Sequence, residues 1–270
     1  MIDLTLTSEL YNNIKFNMHK LILDVEENDA ARLAAVFGAS EEEVQEVIDE
    51  MSRTVREQAE RLRKEIEIPA VTESKTIAFV GDSITSDRAS YLNILREIYR
   101  EEEKLKFVDA AVSGDKSDDA VMKFYFRTMN YHPDVAHILI GTNDLRRSND
   151  PFGGSAVSLS DYRKNLSYML QVFQENQIPV VISQIAPVLN ERLWQRFPED
   201  NWIYDYEEMK EANRIVCEVA AAYGAKLNAM EEVYKEYEPG ELLLKDGLHL
   251  NEKGQYLLTK QVIKALAEYL

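Results

Sequence analysis

Four short loops in this chain carry side chains that could do chemistry together: Gly81-Asp82-Ser83, Ser113-Gly114-Asp115, Gly141-Thr142-Asn143-Asp144 and Asp246-Gly247-Leu248-His249. A serine hydroxyl is a weak nucleophile until a base within hydrogen-bond reach takes its proton. Of the four histidines, only His249 lies in such a loop, and a carboxylate, Asp246, precedes it in the same turn. A carboxylate that folds back onto the ring can fix the imidazole tautomer and stabilise the imidazolium. Taken singly, Gly81-Asp82-Ser83 fits a second role, the turn or N-cap where a strand hands over to a helix, because Ser and Asp are common there.

These loops can cooperate only if regular elements bring them to one place. Ile77-Ala78-Phe79-Val80 is an apolar run, partly β-branched and aromatic, of the kind found in a strand buried on both faces. From residue 76 onward the pattern alternates. Strands are expected over 76–80, 106–112, 135–140, 179–185 and 225–229, and helices over about 87–103, 117–131, 160–176, 205–223 and 252–269. This alternation implies a flavodoxin-like three-layer α/β/α domain with a five-stranded parallel sheet, spanning 75–270. Sites in such sheets form beyond the carboxyl ends of the strands, which is where the first three loops fall.

Residues 1–74 read as a helical N-terminal extension. Leu10, Ile14, Met18, Leu21, Ile22 and Val25 lie on one helical stripe, and a second short helix over 29–37 ends at Gly38. Ser40-Glu41-Glu42-Glu43 has the form of a capping box and opens a longer helix to about residue 66, with Pro69 just beyond it. Its apolar face, Val44, Ile48, Met51, Val55, Leu62 and Ile66, has near-heptad spacing. That face fits packing on the main domain or pairing with a second copy in a homodimer. The helix, glycine turn and helix over 31–50 also suggest a DNA-binding turn. The would-be recognition helix carries Glu41, Glu42, Glu43, Glu46, Asp49 and Glu50 with no Lys or Arg, so it would meet phosphates with like charge.

Composition narrows the classes further. At 270 residues and 45% hydrophobic content, the chain can bury a core without staples. Its one cysteine, Cys217, rules out an intrachain disulfide and sits in a helical run as a packed thiol. A formal charge of −17 opposes nucleic acid and anionic membrane surfaces. No apolar run approaches the ~20 residues of a spanning helix, and the first 25 residues lack an export-signal pattern, so a cytoplasmic location is expected. A phosphate-binding or dinucleotide glycine fingerprint is absent.

In chain order the four loops supply Ser83, Gly114, Asn143 and the Asp246/His249 pair. In this the chain resembles the SGNH hydrolases, the GDSL-like lipases, acylhydrolases and esterases, over about 77–260. The resemblance implies a catalytic triad of Ser83, His249 and Asp246. It also implies an oxyanion hole made by the backbone N–H groups of Ser83 and Gly114 and the side-chain amide of Asn143. Gly114 suits that role because it has no side chain to hold substrate off the backbone. No metal or cofactor is needed. Two features depart from the family pattern: Asp109 and Ala111 stand where Asn and Gly are frequent, and Lys245 adjoins Asp246.

The implied activity is hydrolysis of carboxylic esters through an acyl-enzyme, with a small-molecule ester as partner. Short, acetyl-type acyl groups on a small or carbohydrate alcohol are the favoured substrates. The alternatives are a lysophospholipase or thioesterase, an acyltransferase using the same site, and a non-catalytic regulatory protein. Two long loops, over 145–158 and 187–204, could shape the pocket with Phe152, Trp194 and Trp202, which could stack on a sugar, line an acyl pocket or cap the core. Arg146, Arg147, Phe197 and Tyr204 share those loops. His19, His132 and His137 read as structural, Asp82 and Asp144 as loop holders that accept backbone N–H bonds, and Glu101-Glu102-Glu103 and Glu231-Glu232 as solvated helix faces.

Overall fold

A strand buried on both faces needs apolar residues throughout, and β1 (Lys75–Gly81) has them: it is shielded from Ile77 to its end. The chain is seen in a computed structural model that describes residues 9–17, 28–150, 153–199 and 201–270. Ahead of β1 come α1 (Glu9–Lys15), α2 (Ala30–Phe37) and α3 (Glu41–Glu65). Gly38 ends α2 in the left-handed conformation, and Ser40 and Glu43 form the expected capping box at the start of α3. The expected 10–25 helix stops at Lys15, because Asn17 turns the chain with a φ of 51°. The rest of its stripe, from Met18 to Val25, lies outside the described residues.

After β1 follow α4 (Ser83–Ser86), α5 (Tyr91–Ile98), β2 (Leu105–Asp109), α6 (Ser117–Arg127), β3 (Val135–Leu139) and β4 (Arg147–Ser148). Then come α7 (Leu159–Glu175), β5 (Val180–Ser183), α8 (Asn190–Arg196), β6 (Trp202–Ile203), α9 (Tyr206–Tyr223) and β7 (Lys226–Asn228). The chain closes with α10 (Met230–Tyr234), α11 (Pro239–Leu242) and α12 (Glu252–Leu266). Five strands make one sheet in the order β2-β1-β3-β5-β7, with every neighbouring pair parallel. The order reverses between β1 and β3, so the loops after β1, β2 and β3 converge on one switch point.

Local chemistry explains where elements differ from expectation. The helix expected over 87–103 is broken at its start, where the Asp87 carboxylate accepts the Ala89 N–H and Ser90 caps α5. α5 ends at Ile98, so Glu101-Glu102-Glu103 lies in a turn rather than on a helix face. β2 ends at Asp109, whose Oδ1 accepts the Ala111 N–H at 3.0 Å. The two long loops are not structureless: α8 forms within the second, and β4 pairs with β6 across them, Arg147 opposite Ile203 and Ser148 opposite Trp202.

Helices cover both faces of the sheet. One apolar cluster joins Ile77 and Phe79 to Leu92 and Leu95 of α5 and Leu258 and Val262 of α12. Met51, Val55, Ala59 and Leu62 of α3 belong to that same cluster, so the near-heptad face of α3 packs on α5 and α12. The other face of the sheet is covered by α6, α7 and α9 through Phe124, Leu166, Phe173, Ile215 and Val219. A third, smaller cluster ties α1, α2 and the start of α3 through Ile14, Leu33, Val44 and Val47.

Because Leu62 is fully buried in the cluster that β1 and α12 share, Leu62→Ala is expected to destabilise the whole chain by about 2–5 kcal/mol. Calorimetry should show one lowered transition. An early melt of the α3 signal that leaves the sheet folded would contradict this shared core.

Candidate active site

The nucleophile candidate sits on the first turn after β1. Asp82 caps α4, its Oδ1 accepting the Ile84 N–H at 2.9 Å, so the chain leaves the sheet sharply and Ser83 becomes the first helical residue. A first helical residue has no intrahelical acceptor for its N–H, which leaves that donor for a ligand. The Ser83 hydroxyl lies 2.9 Å from His249 Nε2, and His249 Nδ1 lies 2.7 Å from Asp246 Oδ2. With the ring proton on Nδ1 and donated to Asp246, Nε2 is left to accept the hydroxyl proton. Such a hydroxyl–imidazole–carboxylate chain can activate the hydroxyl as a nucleophile.

The Asp246–His249 turn is built to hold this geometry. Asp246 Oδ1 accepts the N–H groups of Leu248 at 2.9 Å and His249 at 3.1 Å, so the second carboxylate oxygen is aimed at the ring. Burial by itself would raise the Asp246 carboxyl, but the His249 ring and these N–H donors outweigh it and hold its pKa below the usual value. Gly247 adopts a φ of 73°, and a Cβ there would meet Arg192 Cβ at 2.7 Å, so the turn packs directly on α8. Gln255 ties α12 to the nucleophile turn, donating to Ile84 O at 3.1 Å while its own oxygen accepts the Tyr91 N–H. Nothing in the helical spacing of α12 marks Gln255 out beforehand.

Gly114 and Asn143 come to the same rim. Gly114 has a φ of 85°, and the turn is closed by Asp115 N–H donating to Val112 O at 3.1 Å. The Asn143 side-chain amide donates to Asp115 O at 3.0 Å, which fixes the amide beside the Gly114 turn. Asp144 locks the two loops from behind. Its carboxylate accepts the Ser117 N–H at 2.9 Å and the Ser117 hydroxyl, joining the end of β3 to the start of α6. Asp82 and Asp144 thus hold loops through backbone N–H groups, as their positions suggest.

The other candidates lie elsewhere. His137 is buried in β3, its Nδ1 2.9 Å from Tyr91 Oη and its Nε2 2.8 Å from Ser183 Oγ. Burial lowers its pKa to about 3, so it stays neutral and serves as a polar tie between α5, β3 and β5. His132 occupies a left-handed turn at φ 49°, and Cys217 takes a hydrogen bond from Gln184. Trp194 donates its indole N–H to Trp202 O at 2.7 Å, and the Arg146 guanidinium lies 4.3 Å from the centre of the Trp202 ring. Phe152 and His19 lie outside the described residues.

One group at the rim has no counterpart in the motif reading. The Phe16 ring stacks on the His249 imidazole with centroids 4.0 Å apart and planes 26° from parallel. The available signal was slight: Phe16 is an aromatic off the apolar stripe, next to an Asn of the type that tolerates a left-handed helix end.

Comparison with known proteins agrees with the fold. Residues 79–257 match the model of the GDSL-like Lipase/Acylhydrolase family, and the chain belongs to that family. No curated protein matches it. Among solved structures it is similar to a lipase/acylhydrolase from Enterococcus faecalis, with 22% identity over 73% of this chain and 97% of that one and a TM-score of 0.59. It is also similar to TesA, at 20% identity over 73% and 100% with a TM-score of 0.56. A catalytic mutant of the acetylxylan esterase Axe2 from Geobacillus stearothermophilus gives 16% identity over 73% and 95% and a TM-score of 0.58. Among the described residues no helix is long and apolar enough to cross a membrane.

Burial pushes the Asp82 carboxyl up to about 7, against the pull of the Ile84 N–H and of His249. A raised folded-state pKa means that the proton is held more tightly when folded. The stability it contributes is complete below the ordinary carboxylate pKa and is lost as pH rises through about 7. Asp82→Asn keeps an acceptor for Ile84 and cannot ionise, so the melting temperature of the variant relative to wild type should climb between about pH 4 and pH 8. Thermal melts across that range check this; a flat difference would contradict it.

Proposed function

We propose that this chain is a serine esterase that hydrolyses carboxylic esters through an acyl-enzyme. The observation that carries the reading is the unbroken chain from Ser83 Oγ to His249 Nε2 at 2.9 Å and from His249 Nδ1 to Asp246 Oδ2 at 2.7 Å. Ser83 Oγ attacks the ester carbonyl carbon while its proton passes to His249 Nε2. Asp246 stabilises the imidazolium that forms. The carbonyl π electrons move onto oxygen, and that oxyanion is met by the N–H groups of Ser83 and Gly114 and the amide of Asn143. Collapse breaks the ester C–O bond, and the imidazolium returns its proton to the departing alcohol. Water then repeats the sequence against the acyl-serine, releasing the acid and restoring Ser83.

Short acyl groups on a small or carbohydrate alcohol are the substrates we favour. Ser83 is 7% exposed and Asn143 6%, so little of either group is open to solvent, which favours a small acyl group. Trp194 is 40% exposed on α8, the helix that packs on the Asp246–His249 turn, and offers an aromatic face on which a sugar can stack. The likeness to an acetylxylan esterase is consistent with this choice. We place the activity in the cytoplasm, with the small-molecule ester as the partner.

A panel of p-nitrophenyl esters from acetyl to decanoyl, together with acetylated sugars, tests the reading. Rates should be highest for the shortest acyl groups, and Ser83→Ala should lower kcat by at least about 10³-fold. Asn143→Ala should cost about 10²–10³ in kcat with little change in KM, because the oxyanion exists only after attack. Equal turnover by wild type and Ser83→Ala would end the assignment of Ser83. Transfer of the acyl group to added alcohols in preference to water would make the chain a transferase.

A further inference from the structure

Residues 14–17 are fastened to the segment that follows the nucleophile. The Lys15 ammonium pairs with the Asp87 carboxylate at 2.7 Å, both side chains buried. The Lys15 carbonyl accepts the Arg88 N–H at 2.8 Å, and the Ile14 carbonyl accepts Arg88 Nε at 2.8 Å. The Asn17 side-chain amide donates to Ser86 O. Every one of these ties ends on residues 86–88, immediately after the turn that bears Ser83. The extension is therefore registered against the nucleophile itself, and not merely against the body of the domain.

Between Lys15 and Asn17 stands Phe16. Phe16 is 6% exposed, yet it belongs to none of the three apolar clusters formed by the described residues; the Lys15 ammonium lies 5.5 Å from its ring centre, and the ring stacks on His249. An imidazole joined to Ser83 at one nitrogen and to Asp246 at the other can still swing about the axis through those two bonds. A flat aromatic ring against one face opposes that swing and keeps water from that side of the base. We propose that Phe16 is a positioning residue for His249: the N-terminal segment, clamped through Lys15 and Asp87, holds the imidazole in the plane that Ser83 and Asp246 share. Phe16 lies outside the residues that match the family model, so the feature belongs to this chain's extension. Its kinetic consequence rests on the esterase reading of the site.

The test uses the full chain carrying Phe16→Ala, Phe16→Leu or Phe16→Tyr. Three quantities are read: the melting temperature, kcat and KM on p-nitrophenyl acetate, and the low-field proton NMR signal of His249 Nδ1–H bound to Asp246. Ala and Leu should lower kcat by about 10- to 100-fold while KM changes by less than about two-fold, because a displaced base slows chemistry without weakening binding. They should also broaden or remove the low-field signal, and Tyr should restore both. Leu keeps the buried apolar volume, so a loss of kcat at an unchanged melting temperature separates holding the imidazole from holding the fold. Wild-type kcat with an intact signal in the Ala and Leu variants overturns the proposal. A rise in kcat does so as well, since the ring would then be a cover over the site. If wild type hydrolyses no ester, the esterase reading fails, and the NMR signal alone decides the role of Phe16.

Discussion

The hydrogen bond between Ser83 Oγ and His249 Nε2 joins positions 166 residues apart, and most of the tertiary structure bears on keeping it at 2.9 Å. The serine side is set by β1, which is buried between β2 and β3 and ends on a turn capped by Asp82. The histidine side is set by a turn that folds its carboxylate onto its own backbone N–H groups before α12 begins. Neither end is held by the bond itself, because a single net hydrogen bond contributes only about 0.5–1.5 kcal/mol. The distance is held by the apolar cluster in which α5 and α12 meet β1, and by Gln255, which bridges α12 to the nucleophile turn.

Buried carboxylates do a second part of the positioning. Asp144 binds the loop after β3 to the first residue of α6, and Asn143 binds to the turn that presents Gly114. The two loops that follow β2 and β3 are thereby joined into one rim. Such carboxylates carry a cost: burial raises Asp82 to about 7 and Asp144 to about 6. Stability in this region is therefore sensitive to pH near neutrality, through groups that hold the loops and take no part in proton transfer to substrate.

The extension ahead of the sheet is integrated at two levels. The later half of α3 shares the core under α5 and α12, whereas residues 14–17 bind polar groups beside the nucleophile. The first contact is apolar and broad. The second is narrow, made of one buried ion pair, backbone bonds and one ring on the imidazole. A helical appendage that merely covered the domain would have no need of the second.

Much of the architecture was legible in the sequence because its determinants are local. Apolar runs and helical periodicity indicated five strands and the major helices, and the capping residues Ser40 and Glu43 and the terminator Gly38 marked helix ends correctly. The identities and order of Ser83, Gly114, Asn143, Asp246 and His249 also pointed to one rim, since strand ends of a parallel sheet converge by topology. Other features were decided only in the folded chain. Asp87 and Ser90 delayed α5, and β4 found β6 across two segments that had no strand pattern. Trp194 and Trp202 were legible as aromatics but not as partners of one another. Above all, the Phe16 contact with His249 joins the start of the chain to its end. Periodicity reports which face of a helix is apolar, and it carries no information about which distant side chain a residue beyond the last turn will meet. Residue types and spacing thus determined what chemistry the rim can perform, while long-range packing decided how the base of that chemistry is held.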